Sequence, residues 1–145
     1  MNNAYDELKA RHQEEVNALP LYWAFGKKQA DELFEKLGID QNSKKDMAKL
    51  CNGPAGSIMF KTDAPMVADT FRRHRKELAD AIAADPTGEG FIRDMFYSEL
   101  CNHEYGYTGD ASDAIYACGL SYQDIADDPK LALGLRLAKK MAMGD

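Results

Sequence analysis

Apolar residues recur at three- and four-residue intervals along most of this chain, the signature of helices that bury one face. Residues 3–19 place Tyr5, Leu8, His12, Val16 and Leu19 on one stripe, with Glu15 at its edge. The spacing predicts a helix that ends before Pro20, because proline disfavours helical geometry in the residue preceding it. From Lys27, a second stripe of Ala30, Leu33, Phe34 and Leu37 is closed by Gly38. Ser43 is placed to cap a short helix running to Leu50, with Asn52-Gly53 as its stop.

A longer pattern over residues 63–84 aligns Val67, Thr70, Phe71, His74, Leu78, Ala81 and Ile82. Pro65 is tolerated in its first turn, where the amides lack intrahelical partners. Asp85-Pro86-Thr87-Gly88-Glu89-Gly90 breaks the period, and residues 91–107 then align Ile92, Met95, Phe96, Glu99, Leu100 and His103. Shorter helices are expected over residues 110–118, stopped by Gly119, and from Ser121, where Ser121-Tyr122-Gln123-Asp124 has the form of a capping box. Asp128-Pro129 opens the last helix with a cap and a proline at its first position.

Two runs depart from the helical period. Leu21-Tyr22-Trp23-Ala24-Phe25 and Ile58-Met59-Phe60-Lys61 are short, apolar and bounded by turn residues, so they read as extended segments that pair in a small sheet. Tyr22, Trp23 and Phe25 are expected in the core rather than as a stacking platform, since no basic residue alternates with them before Lys27 and Lys28. The expected fold class is mainly α (α+β): a compact helical single domain, residues 1–145, with a small two-stranded sheet. A chain of this length buries about 70% of its unfolded surface and needs no staples.

The chemistry of interest lies inside the helical stripes. His12, His74 and His103 all fall within apolar faces, and Glu99 shares the face of His103. A buried ionisable group must be paired, neutralised or metal-bound. Packing the His74 helix against the His103 helix predicts a buried polar network of His74, Glu99 and His103, which His12 can join. The alternative is zinc or iron held by His74, Glu99 and His103 with a position left for water. No His-Glu-x-x-His is present, however, and His74-x-x-Glu77 reverses the Glu-x-x-His order of di-iron bundles. A hydrogen-bonded network without a cofactor is therefore expected, and no catalytic residue is assigned.

Other routes to catalysis fare worse. Cys101 falls on the face opposite its helix's apolar stripe, and neither Ser57 nor Ser98 stands in a Gly-x-Ser-x-Gly context. The stretch Asn52-Gly53-Pro54-Ala55-Gly56-Ser57 precedes an extended run instead of following one and lacks Gly-Lys-Ser/Thr, so it reads as a turn and not a phosphate cradle.

Charge and cysteines narrow the setting. The chain carries 18 Lys and Arg against 24 Asp and Glu, a net charge of −6. That balance opposes nucleic-acid binding, whose affinity comes from clustered cations, and suits a basic protein partner. Cys51, Cys101 and Cys118 are odd in number, widely spaced and without a C-x-x-C pair, which fits a reducing cytoplasm. Met1-Asn2-Asn3-Ala4-Tyr5-Asp6-Glu7 lacks the basic and apolar regions of a signal peptide, and no apolar run has bilayer length, so no membrane partner is expected.

Candidate partner-binding residues are the exposed side of the basic cluster Arg72, Arg73, Arg75 and Lys76, namely Arg72, Arg73 and Lys76. In the last helix Leu133, Leu137 and Met141 form a second stripe beside Leu131, Leu135, Ala138 and Ala142. A helix apolar on two sides has two neighbours, one of which can be a partner protein or a second copy in a homodimer.

Several segments carry a family resemblance: residues 19–25 with Gln29 and Leu37-Gly38, residues 56–63, Phe71 with His74 and Glu77, and Phe96-Tyr97-Ser98-Glu99-Leu100-Cys101-Asn102-His103-Glu104-Tyr105. They resemble a family of unknown function met in bacteriophages and mobile elements of gut bacteria. The resemblance implies a small cytoplasmic accessory protein and brings no catalytic residue with it. The function expected is binding of a host or defence-system protein, with inhibition of a bacterial defence as its sharpest form. The alternatives are a metal-dependent enzyme with a His/Glu site and a structural or regulatory homodimer.

Overall fold

Helices form largely where the apolar stripes place them. The structure, a computed structural model, describes residues 2–144. In order it contains α1 (Ala4–Asn17), α2 (Lys27–Leu37), α3 (Lys44–Met47), β1 (Leu50–Asn52), β2 (Ile58–Phe60), α4 (Ala64–Ala84), α5 (Phe91–Asn102), α6 (Tyr105–Thr108), α7 (Ser112–Ala117), α8 (Tyr122–Asp127) and α9 (Pro129–Ala142). The fold is mainly α with a two-stranded antiparallel sheet. Contacts divide the chain into two compact units, Met1–Gln13 with Arg75–Asp145 and Glu14–His74, the division falling within α1 and α4.

The unit containing Arg75–Asp145 is built around α5. Ile92, Met95, Phe96 and Leu100 are fully buried, and Tyr5, Ala114, Ile115, Leu135 and Ala138 pack into the same core. The approach of α9 to α5 needs a glycine: a Cβ on Gly134 would lie 2.5 Å from Ile92 Cγ2 and 2.9 Å from the Gly88 carbonyl oxygen. Before α5, the loop predicted from its Pro and Gly content is organised by Asp85. Its carboxylate, on a residue only 4% exposed, accepts from the backbone N–H groups of Thr87, Gly88, Gly90 and Ile92 at 2.9–3.1 Å. Those bonds satisfy amides that the start of α5 would otherwise leave open. The caps of α8 and α9 form as their sequence predicts, with the reciprocal Ser121–Asp124 box and Asp128 accepting from Lys130 N–H.

The unit Glu14–His74 contains the sheet and a second core of Leu21, Met59 and Val67, with Phe71 and Cys51 against it. Ser43 caps a helix as expected, but α3 is one turn long and the chain does not stay helical to Leu50. Leu50–Asn52 instead becomes β1 and pairs with β2 in the register Leu50↔Phe60, Cys51↔Met59, Asn52↔Ile58. The intervening turn closes through Gly53 N–H to Ser57 carbonyl at 2.8 Å, with Ala55 and Gly56 both in the left-handed region. A tight turn thus recruits the preceding residues into a hairpin, an effect of tertiary closure that local periodicity does not encode.

The run 21–25 meets the sheet only through one bridge, Tyr22 to Ile58. Leu21 alone of that run is buried. Trp23 is 42% and Phe25 77% exposed, so the expectation that these aromatics belong to the core is corrected.

Candidate functional site

Glu99 is the buried acid that the sequence singles out, and the structure gives it a partner from α1. The helix face of Ile92, Met95, Phe96 and Leu100 carries Glu99 inward, leaving it 1% exposed. Lys9 Nζ donates to Glu99 Oε1 at 2.8 Å and Asn102 Nδ2 donates to the same oxygen at 2.7 Å. Burial pushes this carboxyl up, yet the bonds from Lys9, Asn102 and Tyr5 outweigh it and hold the group below the usual carboxylate range. Tyr5 shows the reciprocal effect: burial, and then the neighbouring Cys118 and Glu99, push its phenol well up. Asn3 adds a second tie between these segments, donating through Nδ2 to Ser98 Oγ at 2.9 Å.

Above this pair runs an open groove of about 560 Å3, whose lining includes Asp6, Lys9, Gln13, Tyr97, Cys101 and Asn102. A general acid needs a carboxyl held protonated near neutral pH, and a general base needs an oxygen within reach of substrate. Glu99 is held ionised and almost wholly covered. Its geometry is that of an anchor between α1 and α5.

The three histidines do not share one acid. His74 is 8% exposed and pairs with Glu15, Nε2 to Oε2 at 2.7 Å, while its ring meets Phe71 edge-on at 6.1 Å. Glu15 also accepts from Arg73; that bond first, and then the one with His74, lower its carboxyl to about 2. His12 pairs with Glu77, Nε2 to Oε2 at 3.3 Å, and Arg11 reaches the other oxygen of Glu77 at 3.4 Å.

His103 is exposed. It is the C-cap of α5 and not a mid-helix residue, because the helix ends at Asn102 and Glu104 takes a left-handed φ of 56°. The expected helix over residues 91–107 and a buried His74–Glu99–His103 network with His12 are thereby corrected: His74 pairs with Glu15, His12 with Glu77 and Glu99 with Lys9 and Asn102, and His103 has left the core face. Among the described residues, no group of three His, Cys, Asp or Glu side chains is placed to hold a metal ion.

The partner-binding candidates are exposed in part. Arg72, Arg73 and Lys76 all face solvent, but each is committed to a carboxylate: Arg72 to Asp69, Arg73 to Glu15, and Lys76 to Asp80 at 2.7 Å. On α9, Leu131, Leu135 and Ala138 are buried, Leu133 and Leu137 are half-buried, and Met141 is 40% exposed. The second stripe is thus partly covered and opens toward its C-terminal end.

Exposed tyrosines also gather in one stretch of the sequence. Between Arg93 and Lys130 the chain contains no lysine or arginine but eight acidic residues, all but the buried Glu99 reaching solvent at least in part. The same stretch carries Tyr107, Tyr116 and Tyr122, which are 94%, 59% and 51% exposed. Hydrogen bonds tie it together. Thr108 Oγ1 accepts from Asp110 N–H, Asp110 accepts from the Ser112 hydroxyl at 2.6 Å, and that hydroxyl lies 3.1 Å from the Tyr122 hydroxyl. Tyr116 stands one turn beyond Ser112 on α7, on the same side of the helix. Asp110, Asp124 and Asp128 accept from the backbone N–H groups of Ser112, Ser121 and Lys130, which fixes their positions; Glu104, Asp113 and Asp127 add exposed charge.

The charge is unevenly divided between the units. Glu14–His74 contains as many basic as acidic residues, so the whole excess of negative charge belongs to the unit that carries these tyrosines. The cation-free stretch was visible in the sequence. The exposure of its tyrosines was not, because periodicity does not tell which faces of the short helices α6, α7 and α8 a neighbour covers.

Residues 4–141 match a family of unknown function, DUF7659, and the chain belongs to that family. No curated protein and no solved structure matches it.

Proposed function

We propose that this member of DUF7659 acts by binding a protein with a basic surface, through the acidic face that presents Tyr107, Tyr116 and Tyr122. The observation that carries the reading is the coincidence of three exposed tyrosines with the cation-free stretch. Tyrosine is enriched at protein interfaces because it brings a large rigid contact area with a polar tip, and it stacks on guanidinium groups. Negative charge around it speeds encounter with a cationic partner and excludes acidic ones. The engagement of Glu99 by Lys9 and Asn102 favours binding over catalysis as the role of this unit.

The setting proposed is that of an accessory protein of a bacteriophage or mobile element, working in the bacterial cytoplasm on a host or defence-system protein. It rests on the resemblance described above and on the net charge.

Affinity capture from bacterial lysate tests the reading. Wild type is expected to retain a basic protein in low salt and release it in high salt, as electrostatic steering requires. Asp113→Lys with Asp127→Lys, both exposed positions, is expected to lose that capture at an unchanged melting temperature. Equal capture by wild type and this variant would refute the proposal.

A further inference from the structure

Among the described residues, the basic cluster on α4 leaves one cation unpaired. Arg72, Arg73 and Lys76 are each paired with a carboxylate, whereas exposed Arg75 has no hydrogen bond or ion pair among the described residues. Arg75 stands at a cleft of about 330 Å3 whose other walls are apolar. Leu78, Ala79 and Ile82 line it from α4, at spacings that put them on the same helix face as Arg75, and Cys118 and Leu120 close it from the end of α7. Cys118 is 3% exposed, and burial, then the charge of Glu99, push its thiol up to about 12. It therefore lines the cleft as a neutral, apolar group.

The acidic residues nearest in sequence are already engaged, Glu77 by His12 and Arg11 and Asp80 by Lys76. Among the described residues, no acid lines the cleft. An apolar concavity with a single placed charge is the composition of a small-molecule site, and its size falls at the low end of the usual range of about 300–1,000 Å3.

We propose that this cleft binds a small amphipathic carboxylate of the medium-chain fatty-acid class. Its apolar chain lies on Leu78, Ile82 and Leu120, and its carboxylate takes the guanidinium fork of Arg75. None of Tyr107, Tyr116 and Tyr122 lines the cleft, and the proposal does not depend on the function proposed above.

Titration of the 15N-labelled full chain with decanoate, followed by NMR, tests this. Decanoate is expected to shift the amides of residues 75–82 and 117–120 saturably, while decyltrimethylammonium, with the same chain and opposite charge, binds at least about tenfold more weakly. Arg75→Gln is expected to reduce decanoate affinity about tenfold, the scale of one lost charge-assisted pair, without shifting the melting temperature. Ala79→Trp, at an exposed position, fills the cleft and removes binding of both amphiphiles. Absence of saturable shifts, shifts confined to other residues, equal binding of the two amphiphiles or undiminished binding by Arg75→Gln would each overturn the proposal. Binding of a leucine-terminated peptide without binding of decanoate would also overturn it, assigning the cleft to a protein C-terminus.

Discussion

Replacing Asp85 with alanine is expected to cost about 3–5 kcal/mol of stability. The carboxylate accepts four backbone N–H bonds, and those to Gly88 and Ile92 lie in buried surroundings. Each stranded buried donor costs roughly 1–3 kcal/mol, while the Thr87 and Gly90 amides lie nearer solvent and find water at smaller cost. At about 2–4 °C per kcal/mol for a chain of this size, the melting temperature should fall by roughly 10 °C. Asp85→Asn keeps one acceptor oxygen and turns an N–H2 group toward two donors, so about half the loss is expected.

The pH dependence gives an independent check. Burial raises the Asp85 carboxyl, but the bonds from Ile92, Gly88, Thr87 and Gly90 outweigh it and the folded-state value is lowered. A lowered folded value means the stabilisation is complete above the unfolded value of about 3.9 and is lost as pH falls through the folded one. Thermal melts of wild type and Asp85→Asn should differ by a constant margin from neutral pH to about pH 5 and converge below about pH 4. An Asp85→Ala protein melting within about 2 °C of wild type would refute this reading of the loop.

Glu99→Gln should cost about 1–3 kcal/mol in chemical denaturation, less than removal of a fully enclosed ion pair, because Lys9 is half exposed and regains water. Gly134→Val should destabilise by about 1–3 kcal/mol or more, since its side chain would meet Ile92 and the Gly88 carbonyl. Glu15→Gln should lose less stability than wild type between about pH 5 and pH 2, because wild-type Glu15, lowered to about 2 by Arg73 and His74, contributes above its unfolded value and loses that contribution as pH falls.

The helices with local signals were legible in the sequence. Gly38 takes a left-handed φ of 72° at the end of α2, and Ser43, Ser121 and Asp128 cap as their positions imply. Burial of His74 and Glu99 also followed from periodicity. Their partners did not, because Glu15 and Lys9 reach them across 59 and 90 residues of chain, and a stripe says nothing about which helix covers it. His103 failed for a different reason: the period was carried through a helix end at Asn102, after which Glu104 takes a left-handed φ of 56°. β1 was missed because three residues pair only once the Gly53–Ser57 turn has closed.

We place recognition of a basic protein in Tyr107, Tyr116 and Tyr122. Its most direct test is the affinity of the captured partner for wild type and for Tyr107→Ser with Tyr116→Ser and Tyr122→Ser, measured by calorimetry in low and high salt. All three side chains are exposed, so the variant should melt with wild type. A loss of at least about a hundredfold in affinity is expected, as removal of interface aromatics produces, with weaker wild-type binding at high salt. Binding that is unchanged by the three substitutions, or that strengthens with salt, would contradict it.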